Sequence, residues 1–383
     1  MMKKLQNVKW MNYLNYIIIG TFTVIMSVLA SIGALQNSTL KLFGEISIEI
    51  ILAVSLSVVV GFLGELSLGH AGFMAVGAYM GGLVASLLDK SVDDGTNILV
   101  FLLSLVIGAV SAGIFGFIIG LPALRLRGDY LAIVTLASGE IVKNVFQEVF
   151  EYGKLTTKNF MFRQEQTFLL PILGFILVLI MLFVVQNLMK SKHGRAITAI
   201  RDNEIAARAT GINITKYKLI AFVVSAAFAG VAGVLFSFFN SPLEISKFGY
   251  SRSIDILVIV VLGGMGNING SIVAAVVLKI LNNTLDTMFE DNVIIAVKNI
   301  VYAIILIIVV IYNNAPGLKS IREKYNLKNL WNKIFKPKHD PANIKNDTAR
   351  WDVVPTKIEM NEVLSTDIKV VESTRKADKG GKE

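Results

Sequence analysis

Residues 61 to 79 read Gly-Phe-Leu-Gly-Glu-Leu-Ser-Leu-Gly-His-Ala-Gly-Phe-Met-Ala-Val-Gly-Ala-Tyr, and the stretch lies inside long apolar sequence. It nevertheless contains a carboxylate, Glu65, an imidazole, His70, and five glycines. Ionisable groups at membrane depth are costly and usually face a protein interior or a water-filled path. Glycine lets two helices approach closely or lets a spanning helix break. The stretch therefore predicts a broken membrane helix or, as a simpler alternative, a tightly packed helix pair with one buried polar pair.

The composition is that of a membrane protein. The 383 residues are 54% hydrophobic and 17% charged, and several charge-free runs reach the roughly 20 residues that a helix needs to cross a bilayer. The chain is therefore predicted to be an all-α polytopic membrane helix bundle of about ten crossings, including broken or half-spanning helices. There is no cysteine and the three histidines are scattered, so no metal site is expected.

The charge distribution predicts the orientation. The net charge is +9, and the basic residues gather in loops and in the C-terminal part, which favours contact with inner-leaflet lipid over nucleic acid. Lysines precede a retained first span at residues 17–35, and an even number of crossings then places both termini in the cytoplasm. Residues 1–316 form the predicted membrane domain. Residues 317–383 hold 15 Lys or Arg against 10 Asp or Glu and form a predicted basic cytoplasmic tail, amphipathic at first and then disordered.

Two apolar segments carry signals of a break. The runs at residues 50–64 and 66–88 flank the glycine-rich stretch, so the Gly-Glu-Leu-Ser between them is placed at a turn or a helix break. The run at residues 256–278 is interrupted by Gly-Gly-Met-Gly-Asn-Ile-Asn-Gly, residues 263–270. Four glycines and two asparagines predict two shorter helices that meet at a turn. The two breaks are possible counterparts in two halves of the chain.

The most polar internal loop, residues 190–218, holds seven basic residues against two acidic ones and is predicted to be cytoplasmic. Within it, Asp202 is the expected N-cap of a short helix at residues 203–210, Glu204 lies in the first turn, and Gly211 ends the helix. The alanines leave a surface of small residues onto which another protein could fit; these are Ala206, Ala207 and Ala209. The simpler alternative is an ordinary interfacial helix.

Residues 130–150 begin like a span and then become polar. Glu140 and Lys143 are three residues apart and are expected to pair on one helical face. Such a pair is as compatible with a structural role as with a role in transport.

The chain lacks the usual signatures of catalysis. There is no Gly-x-x-x-x-Gly-Lys-Ser/Thr loop, no Gly-x-Ser-x-Gly elbow and no His-Glu-x-x-His helix. The remaining interpretation is a translocation pore that is not an enzyme and binds no cofactor. A separate protein is the favoured source of energy, because the ionisable residues cluster at the predicted ends of spans and not along a proton relay.

Four runs carry a family likeness. They are Gly-Glu-Leu-Ser-Leu-Gly-His-Ala-Gly-Phe-Met-Ala-Val-Gly-Ala-Tyr (64–79), Leu-Arg-Leu-Arg-Gly-Asp-Tyr-Leu-Ala-Ile-Val-Thr-Leu (124–136), Gly-Arg-Ala-Ile-Thr-Ala-Ile-Arg-Asp-Asn-Glu-Ile-Ala-Ala-Arg-Ala-Thr-Gly-Ile (194–212) and Val-Leu-Gly-Gly-Met-Gly-Asn-Ile-Asn-Gly (261–270). Together they resemble the permease subunits of bacterial high-affinity branched-chain amino acid ABC importers, and more closely the second of the two permeases that pair there.

The resemblance implies a partner set and a mechanism. The expected partners are a related second permease, two cytoplasmic ATPase subunits that bind the ATP, an extracytoplasmic substrate-binding protein and the lipid of the bacterial cytoplasmic membrane. In that family the short cytoplasmic helix inserts into the ATPase, and here the matching residues are Asp202, Glu204, Ala206, Ala207 and Gly211. The translocation path or its gate is expected at Gly64, Glu65, Ser67, Gly69, His70, Gly263, Gly264 and Asn267.

Other functions stay open at this point. The same scaffold could import urea, short amides or a simple sugar in place of leucine, isoleucine and valine. An ion-coupled secondary carrier would need no ATPase partner. A structural or assembly protein would act through its basic tail alone.

Overall fold

The computed structural model describes residues 2–33, 36–88, 97–126, 128–150, 154–155, 169–240 and 243–288, together with residues 303, 304 and 307. The chain divides into two units, Met1–Asn314 and Ala315–Glu383, and every described residue belongs to the first. The predicted tail lies outside the described residues. So do residues 89–96, which hold three aspartates and one lysine and are predicted to face the outer side, and most of the run at 299–316, which is predicted to be the last span.

Eleven α-helices account for most of the described chain. In order they are α1 (Met2–Ser31), α2 (Asn37–Ser57), α3 (His70–Leu88), α4 (Asn97–Ala123), α5 (Asp129–Val149), α6 (Leu169–Lys190), α7 (Lys192–Asp202), α8 (Glu204–Ala209), α9 (Ile214–Phe239), α10 (Tyr250–Gly263) and α11 (Ile268–Met288). Two short strands, β1 (Lys154–Leu155) and β2 (Leu243–Glu244), pair antiparallel, and a 3₁₀ turn follows at Ile245–Phe248. The prediction of an all-α bundle is confirmed.

Six of these helices are long and apolar enough to cross a membrane. They are Asn37–Leu63, His70–Leu88, Ile98–Ala123, Leu169–Lys190, Ile214–Phe239 and Ile268–Leu285. A shorter apolar helix segment is present at Tyr16–Ala30. These helices support a multi-pass membrane protein, because water is absent from the bilayer core and a helix satisfies its own backbone hydrogen bonds there.

Helix α9 lies at the centre of the bundle and packs along α2, α3 and α4. Small residues allow this close approach: a Cβ atom at Gly77 of α3 would collide with the backbone of Gly230 in α9. A Cβ atom at Gly233 would likewise meet the backbone of Met74. Membrane helices associate largely through van der Waals contacts of this kind, because lipid provides no hydrophobic driving force between them. The centre of the bundle is therefore held by backbone-to-backbone packing.

Both predicted helix breaks are present. After α2 the chain forms a π-helical turn, Val58–Leu63, and then Gly64 adopts a φ of +79° before α3 begins at His70. Helix α10 ends at Gly263, and α11 begins at Ile268 after a four-residue turn. Within that turn, Gly264 and Gly266 have φ values of +90° and +81°. Such positive φ values are accessible mainly to glycine, which is why the glycine-rich segments predicted the breaks.

The two breaks touch each other. A Cβ atom at Gly61 would collide with the backbone N of Gly266 and lie 2.9 Å from its Cα atom, so this close approach requires a residue without a side chain at position 61. The sequence suggested two related breaks, and the structure places them in direct contact.

Helix α5 carries the predicted ion pair. The Nζ atom of Lys143 lies 3.1 Å from Oε2 of Glu140, which confirms the pairing expected from their spacing. The other carboxylate oxygen of Glu140 accepts a 2.7 Å hydrogen bond from the backbone N–H of Tyr250. The pair therefore holds α5 against the start of α10.

Candidate functional site

The polar loop at residues 190–218 contains two helices where the sequence predicted one. Helix α7 begins because the hydroxyl of its N-cap, Ser191, accepts hydrogen bonds from the backbone N–H groups of His193 and Gly194. Its apolar residues Ala196, Ile197 and Ile200 are buried, which is the pattern of an amphipathic helix lying on a core. The loop is therefore a folded element fixed to the bundle.

The N-cap of α8 is Asn203, and the prediction that Asp202 caps it is wrong. The side-chain Oδ1 of Asn203 accepts a 3.0 Å hydrogen bond from the backbone N–H of Ala206. Asp202 is still the last residue of α7, whereas Asn203 has extended backbone angles, φ −160° and ψ 106°. An N-cap residue requires such a non-helical conformation, so only Asn203 qualifies. The carboxylate of Asp202 instead pairs with Arg201 at 3.1 Å.

The end of α8 follows the sequence prediction, but its surface differs. Gly211 has a φ of +84°, and its N–H donates to the carbonyl of Arg208 at 3.0 Å, as expected for a glycine-terminated helix. Ala206 is exposed, whereas Ala207 is only 4% exposed and belongs to the hydrophobic core. The predicted alanine surface is thus incomplete, because the helix turns Ala207 inward. Ile205, which sequence reasoning missed, is 80% exposed and completes the outward face.

A buried lysine joins α8 to the first helix break. The Nζ atom of Lys218 lies 2.5 Å from Oε1 of Glu65 and 3.3 Å from Oε2 of Glu204. The side chain of Lys218 is 3% exposed, that of Glu65 14% and that of Glu204 24%. A cation this deeply buried needs close opposite charges to offset its loss of hydration. Glu204 also pairs with Arg208 at 3.3 Å, so the helix has its own ion pair beside the shared one.

Arg201 makes a second connection to the breaks. Its Nη1 atom donates a 3.1 Å hydrogen bond to the carbonyl of Gly61. A Cβ atom at Gly64 would come within 2.7 Å of Cγ of Arg201, and one at Gly266 within 3.4 Å of its Nη1. The last turn of α7 therefore rests against both breaks. Sequence reasoning treated Arg201 and Lys218 as loop charges, although a lysine at the start of an apolar span was a usable signal of a buried carboxylate partner.

The remaining residues of the first break lie inside the protein. Ser67 and His70 are 1% and 2% exposed, and Nε2 of His70 lies 2.7 Å from the hydroxyl of Ser55. A Cβ atom at Gly69 would strike the backbone of Thr135, so α3 and α5 are in close contact there. Glu65 and Gly64 are less buried and lie at the edge that faces α7 and α8. The predicted path residues are therefore divided between a packed interior and this edge.

At the second break, the residues have clear local roles. Asn267 is exposed, and its Oδ1 accepts a hydrogen bond from the N–H of Gly270 at 3.3 Å, which makes it the N-cap of α11. A Cβ atom at Gly263 would collide with the backbone of Ser271. Gly264 supplies a positive φ. The second break is thus a tight turn whose geometry depends on residues without side chains.

Within the described ranges, no three His, Cys, Asp or Glu side chains come together in a way that could hold a metal ion.

Comparisons with known proteins identify a family and several relatives of this chain. The family described as branched-chain amino acid transport system, permease component, matches residues 38–310. The chain is 37% identical over 283 residues to the high-affinity branched-chain amino acid transport system permease protein LivM of Escherichia coli K12, covering 66% of this chain and 63% of LivM. The LivM protein of Salmonella typhimurium is also 37% identical, over 61% of this chain and 60% of its own length.

A more distant relative has a different name. The ribose import permease protein RbsC of Haemophilus influenzae is 26% identical over 74% of this chain and 87% of its own length. The chain thus spans less than two thirds of the length of the two LivM proteins and more of the length of this RbsC. No solved structure matches the chain.

Proposed function

The chain belongs to the family of permease components of branched-chain amino acid transport systems, and from this premise we propose that it is the membrane-spanning permease subunit of an ABC importer for leucine, isoleucine and valine. The family match over residues 38–310 supports the transport role. The observation that carries the mechanism is the contact of α8 with the first helix break through Lys218. The proposal also includes a related second permease, two ATPase subunits that bind and hydrolyse ATP, and a substrate-binding protein on the outer side.

The proposed coupling runs from α8 to the helix breaks. The exposed face of α8, with Ile205 and Ala206, docks onto an ATPase subunit. When the ATPases close on ATP, α8 and α7 move together, because both lie on the same end of the bundle. Lys218 and Arg201 transmit that movement to Glu65 and Gly61, and the breaks rearrange to open the path on one side and then on the other.

The proposed orientation places α7 and α8 in the cytoplasm. The seven basic residues of the loop at 190–218 support this. Both termini, including the basic tail at 317–383, are then cytoplasmic, and the membrane is the bacterial cytoplasmic membrane. About ten crossings result when the broken and half-spanning helices and the last predicted span are counted with the six long helices.

The first experiment measures uptake of labelled leucine by cells that lack only this chain, with and without a plasmid-borne copy. Isoleucine, valine, urea and ribose are added as unlabelled competitors. Uptake that depends on the plasmid and is reduced by isoleucine and valine supports the proposal. If ribose is the effective competitor, the result would instead favour a sugar importer, the alternative that the similarity to RbsC suggests. Uptake that collapses with an ionophore and continues without the ATPases would favour a secondary carrier.

The docking of α8 is tested separately. Glu204→Lys places a second cation beside the buried ammonium of Lys218, from which Glu204 Oε2 is 3.3 Å away. We expect this variant to reach the membrane but to lose uptake, with the ATPase subunits no longer co-purifying. Lys216→Glu changes charge on the exposed side of the same region and serves as the control. Normal uptake by Glu204→Lys at normal expression would contradict the docking assignment.

A further inference from the structure

A second polar region lies away from α8 and contains a cavity of about 430 Å³. Small-molecule sites have volumes of roughly 300–1,000 Å³, so an amino acid fits. The walls come from α2, α5, α9, α10 and α11 together with the 3₁₀ turn. The lining residues are acidic, basic and apolar, and they include Glu45, Glu49, Lys143, Arg252, Ile48 and Phe236.

The charges of the cavity are incompletely paired. Nη1 of Arg252 lies 2.8 Å from Oε1 of Glu49, and Nζ of Lys279 lies 2.7 Å from Oε2 of Glu45. The side chain of Glu49 is buried, with 5% of the residue exposed. Its other carboxylate oxygen, Oε2, has no hydrogen-bond partner among the described residues. A buried carboxylate oxygen without a donor is costly. A further N–H or cationic donor that reached the carboxylate of Glu49 from the cavity would therefore stabilise it.

The position of the cavity fits a transport path. Glu49 precedes Gly64 by fifteen residues, which places it about 20 Å from the first break along the axis of α2. Helix α10 begins beside the cavity at Tyr250 and ends at the second break. The cavity thus lies at the start of α10, opposite the second break, and beside the middle of α2. A solute that left the cavity towards the breaks would follow α2 and α10.

We propose that this cavity binds the α-amino-acid zwitterion during its passage through the permease. The ammonium group lies against the carboxylate of Glu49, and the carboxylate group lies against the guanidinium of Arg252 and the ammonium of Lys143, which also pairs with Glu140. Ile48 and Phe236 supply an apolar wall for the aliphatic side chain. The inference rests on the proposed function and names the residues that would select its substrate class. A sugar or urea has no charged group to match a site that carries both signs.

The direct test uses thiol protection, since the chain contains no cysteine. Ser251→Cys introduces one thiol at an exposed position of the cavity lining, and the assembled importer is treated with a methanethiosulfonate reagent in the presence of increasing leucine. Ser38→Cys, an exposed position on α2 outside that lining, is the matched control. We expect leucine to slow modification at position 251 and to leave position 38 unaffected.

The charge of Glu49 is tested in the same assay. Glu49→Gln in the Ser251→Cys background keeps the shape but weakens the bond to the ammonium, so the leucine concentration for half-protection should rise roughly tenfold or more. Glu148→Gln, an exposed carboxylate on α5 outside the cavity lining, should leave that concentration unchanged. Co-purification of the partner subunits verifies that each variant is assembled.

The outcomes separate this inference from the proposed function. If leucine is imported but gives no more protection at position 251 than at position 38, the cavity is not the zwitterion site and the importer assignment stands. Equal protection by ribose and leucine also overturns the inference. Protection by leucine that is weakened in Glu49→Gln and not in Glu148→Gln supports it. If the chain supports no leucine uptake at all, the proposed function fails by its own assay.

Discussion

Replacing Lys218 by methionine tests the buried ion cluster most directly. Methionine keeps much of the length and apolar stem of lysine and removes the charge. Glu65 and Glu204 then lose a shared cation that lies 2.5 Å and 3.3 Å from their oxygens. Two carboxylates remain close together with no compensating charge from α9. We expect the loss to affect both the stability of the chain and the coupling between α8 and the break.

The magnitude follows from the burial of the three side chains. Removing one partner of a buried ion pair costs about 3–5 kcal/mol. Here Lys218 is 3% exposed, but Glu65 and Glu204 are 14% and 24% exposed and retain some contact with water. The destabilisation should therefore lie near the lower limit, at about 3 kcal/mol of unfolding free energy. Lys216→Met, at an exposed position of the same helix, should change it by less than about 0.5 kcal/mol.

The assay is detergent-driven unfolding of the purified chain in mixed micelles, followed by leucine uptake in cells. A double variant, Lys218→Met with Glu65→Leu, replaces the closest pair by apolar groups and should recover most of the lost stability, because such replacements are often neutral. Its uptake should stay low, since the connection between α8 and the break is gone. The reasoning is refuted if Lys218→Met unfolds like Lys216→Met, or if the double variant transports normally.

Three further predictions concern the turns around this cluster. Gly61→Ala places a methyl group against the backbone of Gly266 and should reduce uptake while the ATPase subunits still co-purify; loss of co-purification would show a wider defect. Asn203→Ala removes the N-cap of α8 and should destabilise that helix by about 1 kcal/mol, which should weaken co-purification of the ATPases. Asp202→Ala should have little effect. If Asp202→Ala weakens co-purification and Asn203→Ala does not, Asp202 is the cap. Gly211→Pro removes the N–H that donates to the carbonyl of Arg208 at 3.0 Å, and a proline cannot adopt the φ of +84° found at this position. Uptake should therefore be abolished while the chain still reaches the membrane. Transport and surface expression are measured together to check this.

The membrane helices and their breaks were predictable from the sequence for a simple reason. Long apolar runs permit one structure in lipid, and glycine-rich interruptions mark where that structure ends. Gly64 and Gly264 have the positive φ values that glycine accommodates. The local pair between Glu140 and Lys143 was equally accessible, because helical geometry alone brings residues three apart together.

The cap of α8 was misplaced because two adjacent residues are equally suitable. Asp202 and Asn203 are both strong N-cap residues, and the choice depends on where α7 ends. That end is set by the packing of α7 against the bundle, which includes the buried Ile197 and Ile200. Local propensity contains no information about it.

The polar contacts of the candidate site depend on distant parts of the chain. Lys218 and Glu65 are 153 residues apart, and Arg201 and Gly61 are 140 apart. The pair of Glu49 and Arg252 is separated by 203 residues. Sequence patterns report periodicity within one element, so they identified the charges without their partners. The assignment of the translocation path remains a prediction for the same reason.

The π-helical turn at Val58–Leu63 bears on how relatives of this chain can differ in length. A π turn holds one residue more than an α turn over the same part of the axis, and an extra residue in a continuous α-helix would rotate everything after it by about 100°. The wide turn absorbs that rotation just before the first break. A homologue with one residue fewer here could run as plain α-helix and still present the same faces on both sides. Single-residue insertions and deletions at this point are therefore compatible with an unchanged bundle, and alignments of the family should allow a gap there.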